Sequence, residues 1–244
     1  MRNFFSSSAI GSPGTISGSG GAPADVFYGS SRPSRELDFA SRKRRARLGL
    51  FVGSTGILMI FISLTSAYIV RQGLPTFDPQ TNSLVRDWFS LKLPGLLFIN
   101  TLILIFSSGA MELARRQLNR QAVQGQAEAS SRQTIGREDG LPWLGLTVLL
   151  GLSFLVGQWT VWRELSAAGF YISTNPSSSF FYLLTGMHGV HLFGGILALL
   201  VASAATVLRR PIESRAIVVD VAGWYWHFMA VLWIYVLCLL EFAR

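Results

Sequence analysis

The chain has 244 residues, 50% of them hydrophobic and only 14% charged, with a mean hydropathy of +0.41. So little charge excludes an ordinary water-soluble domain. The net charge of +8 does not mark a nucleic-acid binder, because the basic residues sit between long apolar runs, which is the membrane pattern.

Residues 1–41 are rich in Ser, Gly and Pro, as in Ser6-Ser7-Ser8 and Gly18-Ser19-Gly20-Gly21. Such a stretch cannot bury enough apolar surface to offset its ordering entropy, so a disordered tail is expected. No apolar run follows Arg2, so a signal peptide is not expected. The basic run Arg42-Lys43-Arg44-Arg45-Ala46-Arg47 then abuts the first apolar segment.

Residues 42–244 read as an all-α membrane domain of five transmembrane helices, at about 48–70, 93–113, 142–163, 179–208 and 217–240. Each run approaches the roughly 20 apolar residues that cross a bilayer core, where lipid offers the backbone no hydrogen-bond partners and a helix is required. The 114–141 connection reads as an extension of the second helix followed by a polar linker. Sixteen of the 21 Lys and Arg fall in the tail and in the second and fourth connections. By the positive-inside rule, the N-terminus is cytoplasmic and the C-terminus outside. The one cysteine, Cys238, lies in an apolar run and offers neither a disulfide framework nor a thiolate metal site within the chain. No long internal repeat of the kind many transporters carry is evident.

Ionisable side chains in hydrocarbon are costly and usually face a protein interior or cavity, which directs attention to the three histidines. His188 and His191 are one turn apart in the fourth segment, and His227 lies in the fifth within Trp224-Tyr225-Trp226-His227-Phe228. Counting about 1.5 Å per residue places all three at similar depth, where they can cluster if the helix faces match. Two histidines from one turn cannot reach both faces of a haem, and no carboxylate or cysteine is expected at that depth to complete a metal site. Neutral imidazoles bonding neighbouring helices are preferred over metal or haem ligation, with a proton relay between the two. Gly186, Gly189, Gly194, Gly195, Ala198 and Ala202 suit close approach of another helix to the fourth. On the fifth, Asp220, Trp224, His227 and Val231 share one face. Glu112 and Glu164 lie near helix ends and are expected to reach water, and Trp88, Trp143 and Trp224 suit an interfacial aromatic belt.

Thr185-Gly186-Met187-His188-Gly189-Val190-His191 and Asp220-Val221-Ala222-Gly223-Trp224-Tyr225-Trp226-His227-Phe228 resemble two motifs of subunit III of the haem-copper respiratory oxidases. Asn100-Thr101 with Ser107-Ser108-Gly109, and Gly151-Leu152-Ser153-Phe154 with Gln158, are similar to two further segments. The likeness runs from about residue 48 to the end and matches the family's short five-helix form. It implies a subunit of a proton-translocating, oxygen-reducing oxidase of cytochrome c oxidase type, in the inner (plasma) membrane of a bacterium. It further implies no catalytic residue and no metal ligand in this chain, haem and copper in partner subunits I and II, and bound phospholipid. Support of subunit I through packing, lipid binding and proton uptake follows from the same resemblance, and other respiratory complexes are further partners. His188, His191, Asp220, Trp224 and His227 fall on motif positions as packing or hydrogen-bonding groups, and Trp224, Trp226, His227 and Arg210 as lipid contacts. Two departures count against proton conduction through this chain's own core. The first segment, Phe51 to Val70, lacks the family's common buried glutamate, and Ala230 follows Met229 where many members have an aspartate nearby. A related subunit of a quinol oxidase or nitric oxide reductase, a small transporter using the buried histidines, and a haem-binding anchor are the alternatives.

Overall fold

A computed structural model describes residues 31–78, 82–85, 88, 94–127, 141–172, 175–208 and 212–242. Residues 1–30 of the expected tail, the linker at 128–140 and Arg210 lie outside them. Five helices form: α1 (Ser31–Gly73), α2 (Leu96–Ala127), α3 (Leu141–Ala167), α4 (Pro176–Val207) and α5 (Ile212–Phe242). All five are long and apolar enough to cross a membrane, as expected. α1 starts at Ser31, ten residues before the expected end of the tail. Between α1 and α2, β1 (Thr76–Asp78) pairs antiparallel with β2 (Ser83–Val85), a hairpin no sequence signal had marked. Asn82 enters β2 at φ 50°, a left-handed conformation that asparagine tolerates.

Local chemistry explains where the helices stop. α1 ends at Gly73, two residues before Pro75, whose ring disfavours helix in the residue preceding it. α3 ends in a Schellman motif: Gly169 has φ 86°, its N–H donates to Ser166 O, and Phe170 N–H donates to Leu165 O, both at 3.0 Å. α4 opens with Asn175 as cap and Pro176 in the first turn, where the missing N–H costs nothing.

α2, α3, α4 and α5 close a four-helix ring, each packing on its sequence neighbour and α5 returning to α2. α1 stands outside it, against α5 and the edge of α4. Trp226, Trp233, Phe61, Phe154 and Phe181 are the largest fully buried side chains. The close helix passages fall on α3 rather than α4. A Cβ at Gly151 would stand 2.7 Å from the Trp226 indole, and one at Gly157 would overlap the Asn100 carboxamide. On α4, Gly195 meets Tyr225 and Trp226, whereas Gly189 and Gly194 meet nothing within 4 Å. A Cβ at Gly186 would stand 3.8 Å from the Trp162 ring, so the expected small-residue face of α4 is used at two of its four glycines, because the ring presents only part of that helix to a neighbour.

Candidate functional site

The expected face of α5 exists, and it meets α1 and α2 in an ionic cluster at the end of the bundle where the basic residues gather. Asp220 is 1% exposed. Arg47 of α1 grips it through two bonds, Nε to Oδ2 at 2.7 Å and a terminal nitrogen to Oδ1 at 2.9 Å. Lys43 of α1 approaches at 3.7 Å and Arg115 of α2 at 3.5 Å. A bidentate fork of this kind fixes orientation as well as charge. Arg115 also binds Glu112 at 2.8 and 3.1 Å and lies over the Trp224 ring, 5.3 Å from its centroid. Arg116 holds the other side of Glu112 at 2.7 Å.

His227 continues this network. Its Nε2 lies 3.4 Å from Glu112 Oε2 and its Nδ1 2.5 Å from Ser108 Oγ, both on α2. The expectation that no carboxylate accompanies the histidines is therefore corrected, and so is that of a merely hydrated Asp220 at the interface, since its side chain is buried. Glu112 does reach water in part, but is also held by the two arginines and His227. The arginines turn Glu112 back onto the bundle.

The three histidines do not converge. His188 is fully buried between Phe154 and Trp233, with ring centroids at 6.0 and 4.9 Å. The ring of His191 bonds the Met187 carbonyl of its own helix at 2.8 Å and packs edge-on to Phe61, while its carbonyl accepts from Tyr225. His227 turns to α2 instead. Antiparallel packing puts Gly195 beside Tyr225 and Trp226 and His188 beside Trp233, so His227 is displaced along α5 from the level of His188 by about one and a half turns. Among the described residues no three His, Cys, Asp or Glu come together as a metal-ligand set.

Between α1 and α5 runs a groove of about 530 Å³. Leu50, Phe51 and Leu58 wall it on one side and Trp224, Phe228 and Val231 on the other, with Arg47, Ser54, Thr55 and His227 as its charged and polar groups. The helices touch at both ends, through Arg47–Asp220 and through a 2.8 Å bond from Tyr235 to Thr65, about 27 Å apart along α1. Two of the four expected lipid contacts, Trp224 and His227, line the groove. Trp226 does not: it is fully enclosed, its ring lying against Gly151 and its N–H donating to Ser107 at 3.1 Å. Ser107 in turn donates to the Thr147 carbonyl, joining α5, α2 and α3. Trp88, expected in an interfacial belt, packs edge-on against Tyr68 with centroids 5.0 Å apart.

Ser108, His227 and Glu112 have the composition of a hydrolytic triad, but not the surroundings of one. Ser108 lies mid-helix, where every backbone N–H is already bonded and none is free to form an oxyanion hole, and two arginines occupy the carboxylate. The arrangement holds helices together. Sequence reasoning missed Arg47, Ser108, Glu112 and Arg115. Glu112 with Arg115 and Arg116 three and four positions on was the one local signal.

Five apolar helices, bound to one another by buried polar contacts, define a multi-pass membrane protein. The family model for cytochrome c oxidase subunit III matches residues 46–242, from within α1 to the end of α5, and the chain belongs to that family. It is similar to cytochrome c oxidase subunit 3 of Synechocystis sp., 32% identical over 179 residues, 72% of this chain and 66% of that protein. The protein of the same name from Thermostichus vulcanus is 32% identical over 196 residues, 79% of this chain and 85% of that one. A probable cytochrome c oxidase subunit 3 of Mycobacterium leprae is 34% identical over 102 residues, 42% of this chain. The match spans half the mycobacterial protein's length and just under two thirds of the Synechocystis one.

Proposed function

We propose that the chain is the non-catalytic third subunit of an oxygen-reducing, proton-translocating haem-copper oxidase of cytochrome c type. It sits in the inner membrane of a bacterium beside subunits I and II, which hold the haem and copper. The observation that carries this reading is the family match across residues 46–242, which reaches all five helices. The chain's own contribution is to pack beside subunit I, to hold phospholipid and to aid proton uptake. The lipid role is supported by the α1–α5 groove, whose apolar walls suit an acyl chain and whose Arg47 end suits a phosphate. A groove of this volume falls within the roughly 300–1,000 Å³ common to ligand sites. Proton uptake finds support in the linked carboxylate, imidazole and hydroxyl of Glu112, His227 and Ser108, which run inward from the basic end that the positive-inside rule assigns to the cytoplasm.

Extraction of the full chain in mild detergent tests the assembly. A larger haem-bearing subunit with oxygen-reducing activity is expected to co-purify. Recovery of the chain as a self-sufficient transporter overturns the proposal, and a Soret band retained by this chain alone replaces it with the haem-anchor reading.

A further inference from the structure

Seven buried side-chain nitrogen or oxygen atoms have no hydrogen-bond partner among the described residues, and five of them belong to three residues. They are Asn100 Nδ2 on α2, Gln158 Nε2 and Oε1 on α3, and His188 Nδ1 and Nε2 on α4. The three side chains are 1%, 3% and 0% exposed. Buried polar atoms are nearly always paired, so the concentration of exceptions in so few residues calls for a physical cause.

The contacts around them form a closed circuit at one level of the four-helix ring. The Asn100 carboxamide lies against Gly157, the residue before Gln158. Along the antiparallel pair α3–α4, Gln158 falls between two bridges, the Phe154–His188 ring contact and the 3.1 Å bond from Trp162 to Thr185. His188 packs on Trp233, whose N–H donates to Thr101 at 3.0 Å, one residue from Asn100. Asn100, Gln158 and His188 thus stand at the same height on three successive helices. The bonds of Trp162 and Trp233 are satisfied, so they frame the level without filling its polar needs.

We propose that Asn100, Gln158 and His188 form one internal water-binding site at the centre of the bundle. The partner must be small and enclosed, since a lipid headgroup or another subunit cannot reach groups at most 3% exposed. It must also both donate and accept. The amide nitrogens of Asn100 and Gln158 are donors, Gln158 Oε1 is an acceptor, and a neutral imidazole supplies one of each. A metal ion satisfies acceptors only and leaves both amide nitrogens unmet. Water satisfies both kinds, and buried waters typically make about three such bonds. One water donates twice and accepts twice, meeting at most four of the five groups. Two waters, or one water with a direct Gln158–His188 bond, meet all five. The inference concerns the bundle interior and does not rest on the proposed oxidase role.

The test is solid-state NMR of the full chain in lipid bilayers, with 15N-labelled His, Asn and Gln side chains and polarisation transferred from water protons. Transfer is expected to the His188 ring nitrogens and to Asn100 Nδ2, despite their complete enclosure. Gln158→Leu is expected to reduce the transfer at both residues several-fold together, while Gln158→Asn retains it. Dry signals in the wild-type chain, with direct Gln158–His188 or Gln158–Asn100 contacts instead, overturn the proposal without any variant. Transfer that survives Gln158→Leu unchanged at both residues overturns the claim of a shared site.

Discussion

Asp220→Ala tests whether the ionic cluster fastens α1 to the bundle. Asp220 receives Arg47 and Lys43 from α1 and Arg115 from α2, so its loss leaves Arg47 and Lys43 without their carboxylate, while Arg115 keeps Glu112. Removing one partner of a buried ion pair costs about 3–5 kcal/mol, whereas an exposed pair is worth ~0–1 kcal/mol. Asp220 is 1% exposed but the Arg47 side chain is 46% exposed, so water solvates the released guanidinium. The expected loss lies between the two limits, about 2 kcal/mol. For a chain of this length, that corresponds to a melting temperature lower by roughly 4–8 °C. Tryptophan fluorescence in detergent reads the melting, and hydrogen exchange by mass spectrometry locates it. Protection should fall in α1, which Arg47 and Lys43 tie to α5 through Asp220 at one end and Thr65 through Tyr235 at the other, and hold in α2–α4. Arg47→Ala should cost less, about 1 kcal/mol, because Lys43 and Arg115 still face the carboxylate. Arg116→Gln is the control: its side chain is 65% exposed, and the change should stay within about 0.5 kcal/mol. An Asp220→Ala chain that melts within a degree of wild type, with α1 protection intact, refutes the clamp.

Two further outcomes follow from the packing and the network. Gly151→Ala forces the Trp226 indole away from its seat in a well-packed core, an overpacking cost of about 1–3 kcal/mol, whereas Gly189→Ala, with open space around it, should be near neutral. Paired thermal melts check this, and equal effects at the two glycines would contradict it. His227→Ala removes the links to Ser108 and Glu112, and is expected to weaken assembly or to hasten loss of activity during turnover while leaving the oxidase spectrum unchanged. A bleached spectrum with normal assembly in the purified complex tells against that role.

Much of the architecture was legible in the chain because the bilayer imposes a local rule. A long apolar run must satisfy its own backbone, so Phe51 to Val70 or Leu192 to Val207 can only be helix, whatever lies beside it. Helix phase was equally local: the face shared by Asp220, Trp224, His227 and Val231 is a matter of 3.6 residues per turn. The motifs of α4 and α5 likewise sufficed for the family. What each face meets was not legible. Arg47 and Asp220 are 173 positions apart, and Ser108 and His227 119, and nothing in either stretch encodes the rotation and register that bring them together. The tertiary packing alone decided that His227 turns to Glu112, that His188 sits among aromatic rings beside the unpartnered Gln158 and Asn100, and that Trp226 fills the gap at Gly151 rather than the groove. Helix formation is settled within each segment by hydrogen bonds to its own backbone. The partners of buried side chains are settled only when five separate surfaces fit one another.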